Sequence, residues 1–266
     1  MNESTAPMLQ RPSPKGKPVS LFVTCIVDMI YPDTGMSVVR ILEHLGIAVD
    51  FPLAQTCCGQ PGFNSGYRRE ARTVARQFLT AFADAEVIVT PSGSCAAMVR
   101  HEYPNLFADD PEWSAKAHRA ASITWEFTEF LVEGLGISDL KLTLPEPASF
   151  AFHDGCHGLR LLGLRDAART LLANTGNATV TELNECDVCC GFGGLFAIKM
   201  PGVSSAMLDT KIRNIEASAA GVIVTGDASC LTQMNGGLSR AGSGKRVRHI
   251  AEVLAEGLPQ GGRDEG

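Results

Sequence analysis

The sequence predicts an α/β protein of two pseudo-symmetric halves on parallel sheets, and three observations carry that expectation. Eight of the nine cysteines form two copies of one pattern: Cys25, Cys57-Cys58-Gly59 and Cys95, then Cys156, Cys189-Cys190-Gly191 and Cys230. The spacings nearly match, with 31 residues (26–56) against 32 (157–188) in the first gap and 36 (59–94) against 39 (191–229) in the second. The likeness extends beyond the thiols. Val87-Ile88-Val89-Thr90 recurs as Val222-Ile223-Val224-Thr225, and Glu129-Phe130-Leu131-Val132-Glu133-Gly134-Leu135 as Glu252-Val253-Leu254-Ala255-Glu256-Gly257-Leu258. An internal duplication accounts for such self-similarity, with the stretch around Asp109–Ala120 as extra chain in the first copy. Finally, apolar runs of strand length alternate with segments of helical periodicity, which implies parallel sheets joined by crossovers.

Element by element, Val19–Thr24 reads as a strand ending at Cys25, Val38–Leu45 as a helix, and Ile47–Phe51 as a second strand leading to Cys57. Tyr67, Ala71, Val74, Phe78 and Phe82 mark one helix face. Glu86–Thr90 is a buried strand, with Cys95 in the loop beyond it. In the second copy Phe150–His153 leads into Cys156, and Leu161, Leu164, Ala168 and Leu171 mark one helix. Leu208, Ile212, Ile215 and Ala219 mark another, before the strand 222–225. Two Rossmann-like halves follow, 19–136 and 137–258, between flexible tails 1–18 and 259–266. In such folds loops after strand C-termini gather at one edge, so thiols remote in sequence can converge there.

The composition narrows the function. A net charge of −6 with 20% charged residues lacks the basic surplus of a nucleic-acid binder. No apolar run approaches the ~20 residues of a membrane span, and 1–18 has four prolines and no apolar core of a secretory signal. A cytoplasmic setting is expected, peripheral at most to the inner face of the membrane, where structural disulfides are rare.

Matched sets of four thiols therefore point to soft-metal ligation or thiol redox chemistry. Zinc remains an alternative, although structural zinc sites usually draw on closely spaced Cys pairs and this chain has no C-x-x-C. Iron–sulfur centres fit better, because two adjacent thiolates can crowd one edge of a multi-iron cluster. Neighbouring side chains on an extended strand diverge, so both can face one site only through a turn; Gly59 and Gly191 permit it. His153 and His157 flank Cys156. Either could bind iron or donate to a cluster sulfur, and either could be an ordinary core or surface histidine; His157 is taken into the cofactor-binding set. Cys186 falls outside the pattern, and Asp227 is expected to make a loop hydrogen bond. No flavin or nicotinamide fingerprint is found.

Phe22-Val23-Thr24-Cys25, Cys57-Cys58-Gly59-Gln60-Pro61, Asn64-Ser65-Gly66-Tyr67, Pro91-Ser92-Gly93-Ser94-Cys95, Cys189-Cys190-Gly191-Phe192-Gly193-Gly194 and His249-Ile250-Ala251-Glu252-Val253-Leu254 resemble the cysteine-rich CCG domain family. Over roughly 19–256 the resemblance is to its lactate-utilization branch; other members are the B subunit of heterodisulfide reductase and the iron–sulfur subunit of glycolate oxidase. It implies two Cys-rich halves holding iron–sulfur centres, in some relatives of a non-cubane type; up to two clusters, of [4Fe-4S] type, are expected here. It also implies electron transfer within an NAD-independent complex that oxidises L-lactate to pyruvate, with lactate-utilization B- and C-type subunits as partners. This chain would not act alone. The alternatives are a heterodisulfide-reductase-like thiol–disulfide redox subunit and a glycolate-oxidase-type iron–sulfur subunit. Ser92 and Asp227 stand where the fuller family motif has a further Cys, so neither half offers five thiolates, which argues against a non-cubane cluster.

Overall fold

The computed structural model describes residues 11–259, and its architecture is two four-stranded parallel sheets. The first contains β1 (Val19–Leu21), β2 (Val49–Asp50), β3 (Ile88–Thr90) and β4 (Thr124–Glu126), in the order β2-β1-β3-β4. The second contains β5 (Thr143–His153), β6 (Gly176–Thr181), β7 (Val222–Thr225) and β8 (Arg246–His249), in the order β6-β5-β7-β8. The two orders are the same: in each sheet the chain runs to one side of its first strand, then crosses to the other. The reversal falls between β1 and β3, and between β5 and β7. Outside the carboxyl ends of such a strand pair lies the crevice where α/β sheets bind ligands.

Strand alternation sorts the core. Leu21 and Val89 on one side, with Phe152 and Val224 from the second sheet, share a central apolar core with the helices Pro32–His44 and Ile250–Ala255. On the outer faces, Phe22 and Ile88 pack against the helix Arg68–Ala81, and Ala151 and Ile223 against the helix Pro201–Ala217. The buried face of Arg68–Ala81 runs through Ala71, Ala75, Phe78 and Leu79, while Tyr67 precedes the helix and is exposed.

Several expectations need correcting. The single helix anticipated over 161–171 is two, Cys156–Leu162 and Ala167–Ala173, because Gly163 adopts a left-handed conformation (φ 74°) that ends the first. Cys95 is not in a loop but in the helix Gly93–Ala97. The additional chain of the first half is a helix, Pro111–Ile123. Of the proposed N-terminal tail, 1–10 lies outside the described residues, but Arg11 is anchored: its guanidinium stacks 3.2 Å from the Trp125 ring centroid and pairs with Glu129 at 2.6 Å. The C-terminal tail lies outside the described residues except Pro259. Among the described residues no helix is long and apolar enough to cross a membrane.

Candidate metal centre

Each cysteine of the repeat follows the C-terminal end of a strand. Cys25 opens the helix Cys25–Ile30 just beyond β1, and Cys156 opens Cys156–Leu162 just beyond β5. Cys95 and Cys230 lie in the first turns of the helices after β3 and β7, at the strand-order reversals. The Cys-Cys-Gly segments follow β2 and β6. Gln55 continues the sheet edge with its side chain, accepting from Val23 N and donating to Leu21 O, both at 3.0 Å, which holds the approach to Cys57 against β1. Thr24, immediately before Cys25, sits at φ 74° and ψ 153°. For a β-branched residue this backbone costs on the order of 1–3 kcal/mol, strain of a kind concentrated at functional sites.

The turns after the paired thiols are alike. Gly59 (φ 83°) turns its N–H back to Cys57 Sγ at 3.4 Å, and Gly191 (φ 87°) does the same to Cys189 Sγ at 3.3 Å. Space is tight as well as conformation: a Cβ on Gly191 would lie 2.6 Å from Ser204 O, and one on Gly59 would lie 3.4 Å from Ala71 O. Both members of each pair consequently face the same cavity.

That cavity, of about 650 Å³, is lined by all eight repeat cysteines. Within the first set Cys25 and Cys57 Sγ are 3.6 Å apart and Cys58 and Cys95 Sγ 3.4 Å apart. In the second, Cys156, Cys189, Cys190 and Cys230 line the same cavity, close enough for each thiol to shift its neighbour's protonation. The two sets meet because the Cys95 and Cys156 helices cross at glycine: a Cβ on Gly93 would lie 3.1 Å from Gly158 Cα. Ser92 and Asp227 form an antiparallel bridge behind them, and Asp227 Oδ2 accepts from Ser94 N at 2.8 Å. Each also caps its own cysteine helix, Ser92 Oγ accepting from Cys95 N and Asp227 Oδ1 from Ser229 N. The sequence pointed to two rims; the fold makes them one chamber.

Burial and charge follow the same plan in both sets. Cys58, Cys95, Cys190 and Cys230 are buried, whereas Cys25, Cys57, Cys156 and Cys189 are half-buried. Thiol hydrogen bonds from Cys25 and Cys58, with the Gly59 N–H, hold Cys57 down at about 3. Cys156 and Cys190, with Gly191 N–H, hold Cys189 at about 2. Sharing protons with these thiolates, reinforced by burial, pushes Cys25, Cys58, Cys156 and Cys190 upward. In each set the hydrogen bonds converge on one sulfur, favouring its thiolate, and metal binding would release the protons of the thiols it engages.

His157 lines the cavity with Nδ1 3.5 Å from Cys156 Sγ. His153 does not line it; the ring is fully buried behind the sulfurs, and its donor nitrogen, Cys190 Sγ and Cys230 Sγ lie within 4.8 Å of one another, a group able to hold a metal ion. Sequence reasoning gave His157 the larger role. Strand alternation held the missed signal, since His153 shares a face of β5 with Ala151, on the side of Cys190 and Cys230. Cys186 packs at the edge of the second outer core, and its carbonyl accepts from Asp154 N at 3.0 Å.

The scaffold and its sulfur-lined chamber define a two-sheet, cysteine-rich protein built to gather thiolates. The "Cysteine-rich domain" family, CCG, matches residues 19–100 and again 150–235. The chain is 47% identical over 240 residues to "Lactate utilization protein A 2" of Bacillus cereus (strain 03BB102), covering 90% of this chain and 98% of that one. It is 48% identical over 236 residues to "Lactate utilization protein A" of Geobacillus kaustophilus (strain HTA426), at 89% and 98% coverage. The chain belongs to the cysteine-rich CCG domain family and, within it, to the lactate utilization protein A family. A crystal structure of a hypothetical protein from Helicobacter pylori shares the fold, with TM-score 0.58, 12% identity and 92% of this chain covered; this chain spans half of that one.

Proposed function

We propose that this chain is the iron–sulfur electron-transfer subunit of an NAD-independent complex that oxidises L-lactate to pyruvate, working in the cytoplasm with lactate-utilization B- and C-type subunits. One observation carries the reading: eight thiols line a single cavity in a chain 47–48% identical to lactate utilization A proteins over 98% of their length.

The donor set suits iron–sulfur clusters of [4Fe-4S] type, up to two. Cys25, Cys57, Cys58 and Cys95 would hold one in the half 19–136. Cys156, Cys189, Cys190 and Cys230 would hold the other in the half 137–258, the two halves being Rossmann-like products of a duplication. Four thiolates per cluster is the usual count, and in each set the surrounding hydrogen bonds favour the thiolate form of one sulfur. When bound, such clusters accept and release single electrons.

The residues of the chain set the conditions for that chemistry. Gly59 and Gly191 bring backbone N–H groups onto Cys57 and Cys189, and hydrogen bonds to sulfur raise a centre's potential. His157 is placed to do the same for Cys156. Cys58, Cys95, Cys190 and Cys230, all buried, keep water from one side of each centre. Oxidation of lactate to pyruvate releases two electrons and two protons; this chain would take the electrons singly, with hydride chemistry performed by a partner.

The test is reconstitution under anaerobic conditions. L-lactate should bleach the visible absorption of this chain's centres only with the B- and C-type partners present, with pyruvate formed in step. Pyruvate formation at an undiminished rate without this chain, or centres that stay oxidised in the full mixture, would contradict the assignment.

A further inference from the structure

His153 ends β5 fully buried, and neither ring nitrogen has a hydrogen-bond partner. A neutral imidazole carries one donor and one acceptor, and native interiors pair such groups or leave them for a ligand. The donor atoms within reach are sulfurs: a His153 ring nitrogen, Cys190 Sγ and Cys230 Sγ lie within 4.8 Å of one another. Beside the ring is the Cys186 carbonyl, which accepts one bond from Asp154 N at 3.0 Å and has a second lone pair free for an imidazole N–H. A ligating histidine that donates its other nitrogen to a backbone carbonyl is a common arrangement at metal sites.

The first half makes the contrast. Ser20↔Ile88 and Leu21↔Val89 match Ala151↔Ile223 and Phe152↔Val224, so Phe22 occupies the position of His153. Phe22 is an ordinary core residue, packed edge-on against Phe78 and Phe82. A core position that merely needs filling is served by that ring. At 153 the chain instead buries two polar nitrogens against two metal-binding thiols.

We infer that His153 is a ligand of the second centre, one imidazole nitrogen binding metal beside Cys190 and Cys230, so that this half brings five donors where the first brings four. The inference rests on the iron–sulfur reading above, and its test separates the two. Pulsed EPR is recorded on the anaerobically purified Cys58→Ser chain, so that the second centre alone contributes, with natural-abundance and ring-15N-labelled histidine. The expected result is a strong coupling from a directly bound nitrogen that changes from the 14N to the 15N pattern on labelling. It should persist in His157→Ala and vanish in His153→Phe, which installs the first half's own residue. The labelled chain with His153 intact decides the question even if His153→Phe fails to fold. An intact cluster signal with no label-sensitive strong coupling overturns ligation by His153 and leaves the iron–sulfur reading standing. A chain purified without iron and sulfide overturns both.

Discussion

In the first half, the strand leading to Cys25 runs into Phe22, whose ring meets Phe78 edge-on with centroids 4.8 Å apart. In the second, the matching strand ends on His153, and the partner helix answers with Lys211. The helix register follows from the glycine turns: Gly59 packs under Ala71 O and Gly191 under Ser204 O, and seven residues on from each stand Phe78 and Lys211. Lys211 is buried, donates to Glu185 O, and has its pKa lowered by desolvation. Two frames with one strand order and one thiol layout thus differ behind the cysteines rather than at them. An aromatic backing adds no charge to the first centre, whereas a cation and an imidazole back the second. Net charge and hydrogen bonding near a cluster set its potential, so clusters bound in the two halves would differ in potential.

The comparison breaks most sharply at the thiols. Cys58→Ser and Cys190→Ser should each remove the centre of their own half, leaving about half of the bound iron and sulfide and one of two EPR signals. Unchanged spectra in both variants would remove the ligand assignment.

Next in size are the turns. Gly191→Ala drives a Cβ to 2.6 Å from Ser204 O at φ 87°, whereas Gly59→Ala meets Ala71 O only at 3.4 Å. Urea unfolding should show a loss of about 3 kcal/mol or more for the former and about 1–2 kcal/mol for the latter. Equal losses would mean the second turn is no more tightly packed than the first.

The ends of β4 and β8 differ in chemistry as well. Glu126 and His249 pair with Thr90 and Thr225 and cap the helices that follow, Glu126 Oε2 accepting from Thr128 N at 2.7 Å and His249 Nδ1 from Ala251 N at 3.2 Å. Burial raises Glu126 from 4.5 to about 7. The folded state then holds a proton that the unfolded chain gives up, so this group's contribution is full below pH 4.5 and declines as pH rises to 7. The difference between wild type and Glu126→Gln isolates the carboxyl: the variant should gain about 2–3 kcal/mol relative to wild type between pH 5 and pH 8. A difference independent of pH would contradict the raised value.

Smallest is the effect of the buried cation. Lys211→Met should lower the midpoint potential of the second centre by on the order of tens of millivolts and leave the first in place. Redox titration followed by EPR reads both at once, and equal shifts would undo the contrast between the halves.

Much of this was legible in the sequence, because strands with a buried face announce themselves as apolar runs: β1, β3 and β7 lie within the stretches anticipated, and the anticipated 150–153 is the buried end of β5, whose exposed start at Thr143 carries no such run. The edge strands were harder. Thr124–Glu126, Gly176–Thr181 and Arg246–His249 are short or rich in polar residues, as edges tend to be, and carry no such run. The spacing of the eight thiols gave the two sets, but their meeting in one chamber depends on Gly93 lying against Gly158, a contact no local pattern encodes. His153 was visible as a residue and not as a site, because its meaning lies in which side of β5 it takes and in the absence of any other partner.

Eight thiols around one chamber would hold two iron–sulfur centres. Iron and acid-labile sulfide quantitation on anaerobically purified protein, with EPR of the fully reduced state, tests it most directly. About eight iron and eight sulfide per chain are expected, with two signals broadened by mutual magnetic interaction, since both sets line one cavity of about 650 Å³. A colourless protein carrying zinc and no sulfide would contradict it.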